Sequence, residues 1–367
     1  MFFNPFPHAI GIDINDLSIK MVQLNNISRR KRRSAFTLVN AKSTQLPHGL
    51  IVNGELEKPE AVRKYLLHLF EKRNRKDKIY KTPWAVASIP DKHGFIKLIQ
   101  IDKEPGDIID EDIIIASQKH VPFHENDYYL DWQIVPNHNT SNPEQTNILL
   151  ASIPKSIANM YTYLLESVGF AVIALELGAL STARSMITAN NNYEGQGRAI
   201  LYLGATESTL TVYDHNHIQF SKSLKYSGEL LTTSIAQNLH LSYDEAEMKK
   251  KAYGLEYTKS KCWPILVEQT DNLIAEIEQT LEFYYSHFPS TNKINHITMC
   301  GGATAMKGLD KILTKKLDIE SQPGKVWKNL FSPKDIILDE SKSLRFAKAI
   351  GLALRAASNP FFDNNSI

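Results

Sequence analysis

Residues 9–24 read Ala-Ile-Gly-Ile-Asp-Ile-Asn-Asp-Leu-Ser-Ile-Lys-Met-Val-Gln-Leu, and residues 199–212 read Ala-Ile-Leu-Tyr-Leu-Gly-Ala-Thr-Glu-Ser-Thr-Leu-Thr-Val. Each stretch is an apolar strand, a short polar turn and a second strand with alternating apolar residues. A third strand follows in both places. It runs from Ala35 to Ala41 after a basic turn, and from Ile218 to Leu224 after Asp214-His-Asn-His217. In the first half Pro59 suits the first turn of a helix, and Val62, Tyr65, Leu66, Leu69 and Phe70 form a stripe at helical spacing. A strand from Trp84 to Ile89 ends at Pro90. In the second half a helical stretch covers Thr270 to His287, and a strand from Ile297 to Cys300 stops at Gly301-Gly302. Two halves opening with the same meander predict an α/β duplicated fold with a cleft between the halves.

Residues 94–165 fall outside this repeat. They hold strands at Phe95 to Ile101, Tyr128 to Val135 and Ile148 to Ile153, and an acidic helix start at Asp107 to Asp112. An Asn-rich loop from Asn137 to Asn147 and a helix from Pro154 to Val168 complete a small inserted α+β subdomain.

The chain has 367 residues, enough for two or three domains. Its 42 Lys and Arg against 40 Asp and Glu leave a net charge of +2, which gives no whole-protein case for nucleic acid. Two cysteines cannot make a disulfide scaffold or a metal motif. No apolar run approaches the ~18 residues of a membrane span. The first residues lack the basic-then-apolar order of a secretory signal. The expectation is a cytoplasmic protein.

Several short motifs carry possible chemistry. The turn from Asp13 to Lys20 gathers a carboxylate, the amide of Asn15, the hydroxyl of Ser18 and the ammonium of Lys20. Its backbone N–H groups can cradle phosphate, and Asp13 can reach a hydrated metal ion. It also reads as a plain polar hairpin. The turn Gly204-Ala205-Thr206-Glu-Ser208 has the same two readings. Glu247 and Lys250 share a helix face at i, i+3, either to hold ribose and base or as a surface ion pair. Gly301-Gly302 lets a flat ring approach the backbone, or simply joins a strand to a helix. The five-residue basic run at 29–33 is either a solvated tip or a contact with an acidic partner or anionic lipid, and it lacks the aromatic residues of a nucleic-acid site. His8, His120 and His124 make no metal spacing and read as structural.

The order of these motifs resembles the actin-like ATPase superfamily, and within it the PilM family of type IV pilus assembly, relatives of the division protein FtsA. The resemblance rests on Gly11-Ile-Asp-Ile with Ser18-x-Lys20, Leu46-Pro-His-Gly with Asn53-Gly54, Ser88-Ile-Pro90, and Lys119-His-Val-Pro-Phe123 with Asp131 beyond it. It continues through Val168-Gly-Phe with Leu175-Glu176, Glu245-Ala-Glu-x-x-Lys250, Glu276 to Tyr284, Gly301-Gly302-Ala303 and Ala349-Ile-Gly-Leu-Ala-Leu-Arg355. It implies a two-lobed actin-like fold. The first lobe would span 1–195, with the insertion at 94–165, and the second lobe 196–342. A closing helix at 343–357 would return to the first lobe, followed by a tail at 358–367.

It further implies ATP with magnesium in the cleft. Asn15, Ser18, Lys20, Gly204, Ala205, Thr206, Glu247, Lys250, Gly301 and Gly302 would hold the nucleotide. Asp13 would serve the metal, and Glu176 would orient a water or merely begin a helix. Two positions depart from the family's usual pattern: Asn15 where it carries Gly, and Tyr202 where it carries Asp. A phenol with a pKa of about 10 does not replace a carboxylate. The implied function is an adaptor gated by ATP occupancy, with weak or absent hydrolysis. It would work with other pilus assembly proteins at the inner face of the cytoplasmic membrane. There it would bind the cytoplasmic N-terminal tail of a PilN-like inner-membrane protein in a groove beside the insertion, near Ser88 to Ile101 and Lys119 to Phe123. The alternatives are an FtsA-like polymerising membrane tether, which the short polar end from Asn359 to Ile367 does not favour, and an active ATPase or phosphotransferase.

Overall fold

The computed structural model describes residues 4–26, 36–71, 82–121, 127–137, 145–187, 193–288, 290–326 and 343–358. The basic run at 29–33, Pro122, Phe123 and His124, much of the Asn-rich loop, residues 327–342 and the tail from 359 lie outside the described residues.

The first half contains β1 (Ile10–Asn15), β2 (Ser18–Asn26), β3 (Phe36–Gln45), the two-residue strands β4 (Ile51–Val52) and β5 (Glu55–Leu56), α1 (Pro59–Phe70) and β6 (Trp84–Ile89). The insertion contributes β7 (Phe95–Ile101), α2 (Asp110–Gln118), β8 (Tyr128–Val135) and β9 (Thr146–Pro154). Then come α3 (Lys155–Ser167), β10 (Ala171–Leu177) and α4 (Gly178–Met186). The second half has β11 (Gly197–Leu203), β12 (Ser208–Asp214), β13 (His217–Leu224), α5 (Gly228–Leu239), α6 (Tyr243–Tyr253) and α7 (Trp263–His287). It ends with β14 (Ile294–Cys300), α8 (Leu309–Leu317), β15 (Glu320–Pro323) and α9 (Ala347–Ala357).

The duplication is visible in strand order. One sheet runs β3-β2-β1-β6-β10, and the other contains β13-β12-β11-β14-β15. In each, an antiparallel meander is followed by two parallel strands. The β12–β13 turn is made by His215 and Asn216, both at positive φ (51° and 65°), as a tight hairpin of matching twist requires. Asn15, by contrast, closes β1 without a left-handed backbone. The glycine usual there in the family is therefore not needed for φ.

The insertion interrupts the first half in sequence, yet its sheet joins the second half. Strands β7, β9 and β8 continue beyond β13 through the Phe220–Lys97 pair. Strand β13 would otherwise be an open edge, and β7 covers it. One face of the insertion packs with α2 around Ile99, Ile113, Ile148 and Leu150. The other face adds Ile96, Leu98, Leu149 and Ile153 to the main core.

Helix α9 packs on β1, β2, β6 and α4. Ten of its eleven residues are buried, so it lies inside the molecule rather than on it. Two glycines make the approach possible. A Cβ on Gly11 would lie 2.4 Å from the Ala353 nitrogen, and one on Gly351 would lie 1.8 Å from the Ser181 carbonyl. Both neighbours are backbone and cannot swing away. Gly351→Ala should cost about 3 kcal/mol in urea unfolding. Gly106→Ala, with no atom within 4 Å of the added Cβ, should leave the midpoint almost unchanged.

Candidate functional site

Asp13, Asn15, Ser18 and Lys20 come together at the end of β1 and the start of β2. Asp13 is 1% exposed and accepts from Asn15 Nδ2 (2.9 Å), Lys20 Nζ (3.4 Å) and Ser88 Oγ (3.1 Å). Lys20 also donates to Ser18 Oγ at 2.8 Å. The neighbouring Asp16 takes both N–H groups of Asn53 and Gly54, at 2.9 Å each, and so fixes the β4–β5 turn beside the first turn.

The second turn is braced by α5. The carbonyls of Gly204 and Ala205 accept the N–H groups of Gly228 and Glu229, at 3.0 and 2.8 Å. Glu247 and Lys250 sit behind that helix start. Lys250 donates to the Gly228 carbonyl and Thr232 Oγ1, both at 2.7 Å, while Glu247 accepts from Thr232 at 2.5 Å and pairs with Lys250 at 2.7 Å. Burial would raise the Glu247 carboxyl, but these donors outweigh it and hold it at about 2. The turn Gly301-Gly302 packs against the chain entering α9. Gly301, at φ 93°, donates to the Leu344 carbonyl at 3.1 Å, and a Cβ there would meet the Leu203 carbonyl at 2.2 Å.

Between the two turns lies a side chain that the motifs did not point to. Lys348, 1% exposed, donates to Asp91 Oδ2 (3.0 Å) from the first half and to Glu207 Oε1 (2.5 Å) from the second turn. Its ammonium lies 4.2 Å from the centroid of the Tyr202 ring. Asp91 also accepts from the Ala179 N–H at 2.8 Å, capping α4, and from Thr209 Oγ1 of the second half at 3.2 Å. Burial disfavours the charge on Lys348, yet Asp91 and Glu207 raise its pKa well above the ordinary value. Burial pushes the Tyr202 phenol far up, so it stays neutral. A second bridge between the halves is His48 against Glu229, at 3.1 Å.

Glu176 sits in a different element from the one expected. It is the penultimate residue of β10, not a helix start, and is 4% exposed. Its oxygens accept from Arg184 (2.6 and 3.2 Å) and Arg355 (2.6 Å). Burial alone would raise its pKa, but the two guanidiniums hold it below the usual range. Three of the roughly four acceptor positions of this carboxylate are thus taken by guanidinium groups, which makes Glu176 an ion-pair hub between β10, α4 and α9.

Glu176 and Arg355 also border a groove of about 450 Å³. Its walls are β10, Tyr129 and Asp131 of β8, Ser152 of β9, and Asn159 and Thr162 of α3. Strand β10 ends its sheet. Ile89 is the one residue lining the groove from the segments singled out in the sequence for a partner; the rest of the wall lies on β8 to β10 and α3, with Leu180 of α4 and Arg355 of α9.

With this geometry in hand, comparison with known proteins gives a family. The model described as "Type IV pilus assembly protein PilM" matches residues 11–357. The chain belongs to the PilM family. Among solved structures, the PilM–PilN type IV pilus biogenesis complex is similar with a TM-score of 0.78 at 20% identity, over 96% of this chain and 100% of that one. The ethanolamine utilization protein EutJ from Carboxydothermus hydrogenoformans gives 0.53 at 12% identity, over 95% and 90%. MreB5 of Spiroplasma citri bound to ADP gives 0.52 at 12%, over 95% and 96%. The fold is thus the actin-like one.

The magnesium nucleotide that the resemblance implies would sit between these turns. The first turn, with the Lys20 ammonium beside the Ser18 hydroxyl, has groups that suit phosphate. The metal does not fit. Every carboxylate nearby is already engaged: Asp13 by Asn15, Lys20 and Ser88; Asp91 by Lys348, Thr209 and Ala179; Glu207 by Lys348. A divalent ion ~4 Å from the Lys348 ammonium would be repelled by roughly 8 kcal/mol at an effective dielectric of ~20. Lys348, Asp91 and Glu207 escaped the sequence reading, although a lone Lys in the apolar run Ala347–Ala357 was a visible signal.

Glu247 gives a pH test. Its pKa of about 2 lies below the ordinary 4.5, so its contribution is complete above 4.5 and disappears as pH falls toward 2. Glu247→Gln should be less stable than the natural protein by roughly 1.5–3 kcal/mol at neutral pH. In urea melts across the acid range that gap should close. A gap constant with pH would mean that the ion pair contributes nothing.

Proposed function

We propose that this chain is a pilus-assembly adaptor whose groove takes the cytoplasmic N-terminal tail of a PilN-like inner-membrane protein. The cleft, in the same reading, takes an adenine nucleotide that is held rather than turned over. The groove carries the first half of the reading. The edge strand β10 and Tyr129 and Asp131 of β8 line the same groove, and an extended peptide can add to a sheet edge while side pockets choose its residues. The similar solved complex holds PilN, which supports that choice of peptide.

Nucleotide is supported by the two turns and by the similarity to MreB5 bound to ADP and to AMPPNP. Slow or absent turnover is supported by the neutral Tyr202 and by Glu176 being paired with Arg184 and Arg355. No helix among the described residues is long and apolar enough to cross a membrane. The tail would therefore supply the address at the inner face of the cytoplasmic membrane, and the basic run at 29–33 would add attraction to anionic lipid.

Two outcomes are expected. Thr162→Trp, which fills the groove from α3, should weaken binding of a labelled synthetic tail peptide at least about tenfold, about 1.4 kcal/mol, by fluorescence anisotropy. Met248→Ala on the exposed face of α6 should not. Undiminished binding by Thr162→Trp would put the tail elsewhere. Separately, ATP at a hundredfold excess over Kd should stabilise the protein by about 2.7 kcal/mol in thermal unfolding. No shift at any millimolar concentration would remove the nucleotide from the reading.

A further inference from the structure

We infer that the Lys348 ammonium is a built-in cation standing where the cleft would otherwise call for a divalent metal, so that the two halves close on each other without one. Four observations carry this. The two carboxylates that Lys348 touches come from opposite halves: Asp91 follows β6, and Glu207 lies in the β11–β12 turn. Asp91 is buried and the Glu207 side chain is only 11% exposed, so the two carboxylates could not stay charged together there without a cation between them.

The space is shaped for this cation. A Cβ on Gly178 would lie 2.5 Å from Lys348 Nζ and 2.7 Å from Asp91 Oδ2, so the start of α4 must lack one. The face of Tyr202 closes the third side at 4.2 Å, and a Cβ on Gly204 would crowd that ring at 2.9 Å. Finally, the Thr209 hydroxyl, also from the second half, completes the shell of Asp91. A phenol ring is a poor magnesium ligand but a good surface for an ammonium. The pairing of Tyr202 with Lys348 is thus a matched exchange of metal chemistry for cation–π chemistry.

The inference concerns the metal alone and stands whether or not the cleft takes nucleotide or the groove takes a tail. Its test uses manganese and magnesium salts as the only probes. The natural protein should show the same melting temperature in EDTA and in millimolar magnesium, and added manganese should remain free by electron paramagnetic resonance. Lys348→Met keeps the stem and removes the charge. It should melt lower in EDTA, bind about one equivalent of manganese between Asp91 and Glu207, and regain stability with magnesium. Lys348→Met with Asp91→Asn and Glu207→Gln should lose both metal responses. Should Lys348→Met fail to fold in EDTA, refolding in magnesium decides: recovery supports the inference, and failure while the triple variant folds overturns it. Manganese bound stoichiometrically by the natural protein would also overturn it, as would a folded Lys348→Met indifferent to metal.

Discussion

One buried ammonium holds the two halves in register. Lys348 reaches its cleft only because α9 is driven through the interior, against β1 on one side and α4 on the other. That path exists because Gly11 and Gly351 let backbone touch backbone. Removing either partner of such a buried pair leaves an uncompensated charge, typically a loss of 3–5 kcal/mol. Helix position, interlobe closure and the chemistry of the cleft therefore rest on one set of contacts.

The same helix ends at Arg355, which shares Glu176 with Arg184 and borders the groove. Lys348 and Arg355 are two helical turns apart, about 10 Å along the axis. Cleft and groove are thus furnished by the two ends of one rigid element. Any free-energy coupling between their ligands would be reciprocal. Such an arrangement suits an adaptor, whose output is a shape offered to a partner.

The duplicated meander was legible in the sequence because it is local: strand, turn and strand lie within a score of residues, with alternation marking each face. Strands β1 and β2, β11 and β12, β6 and β7, and the helix at Pro59 sit where periodicity put them. The first turn was legible for the same reason, since Asp13, Ser18 and Lys20 are close in sequence. What was not legible is long-range. Lys348 meets Asp91 across 257 positions and Glu207 across 141, and no spacing rule reports such pairs. Nothing local shows that Glu176 still belongs to β10: the strand continues one residue past it because Leu177 pairs with Ile89 of β6. The insertion's attachment to β13 rests on a sheet edge that only the assembled fold reveals.

The most direct measurement is an anomalous-difference map at the manganese edge from crystals of the natural protein grown with manganese and AMPPNP. The expected map has no peak between Asp91 and Glu207, and ordinary density there shows the Lys348 ammonium in contact with both carboxylates. A manganese peak at coordination distance, ~2.2 Å from either carboxylate with Lys348 displaced, would contradict the claim that this cleft carries its own cation.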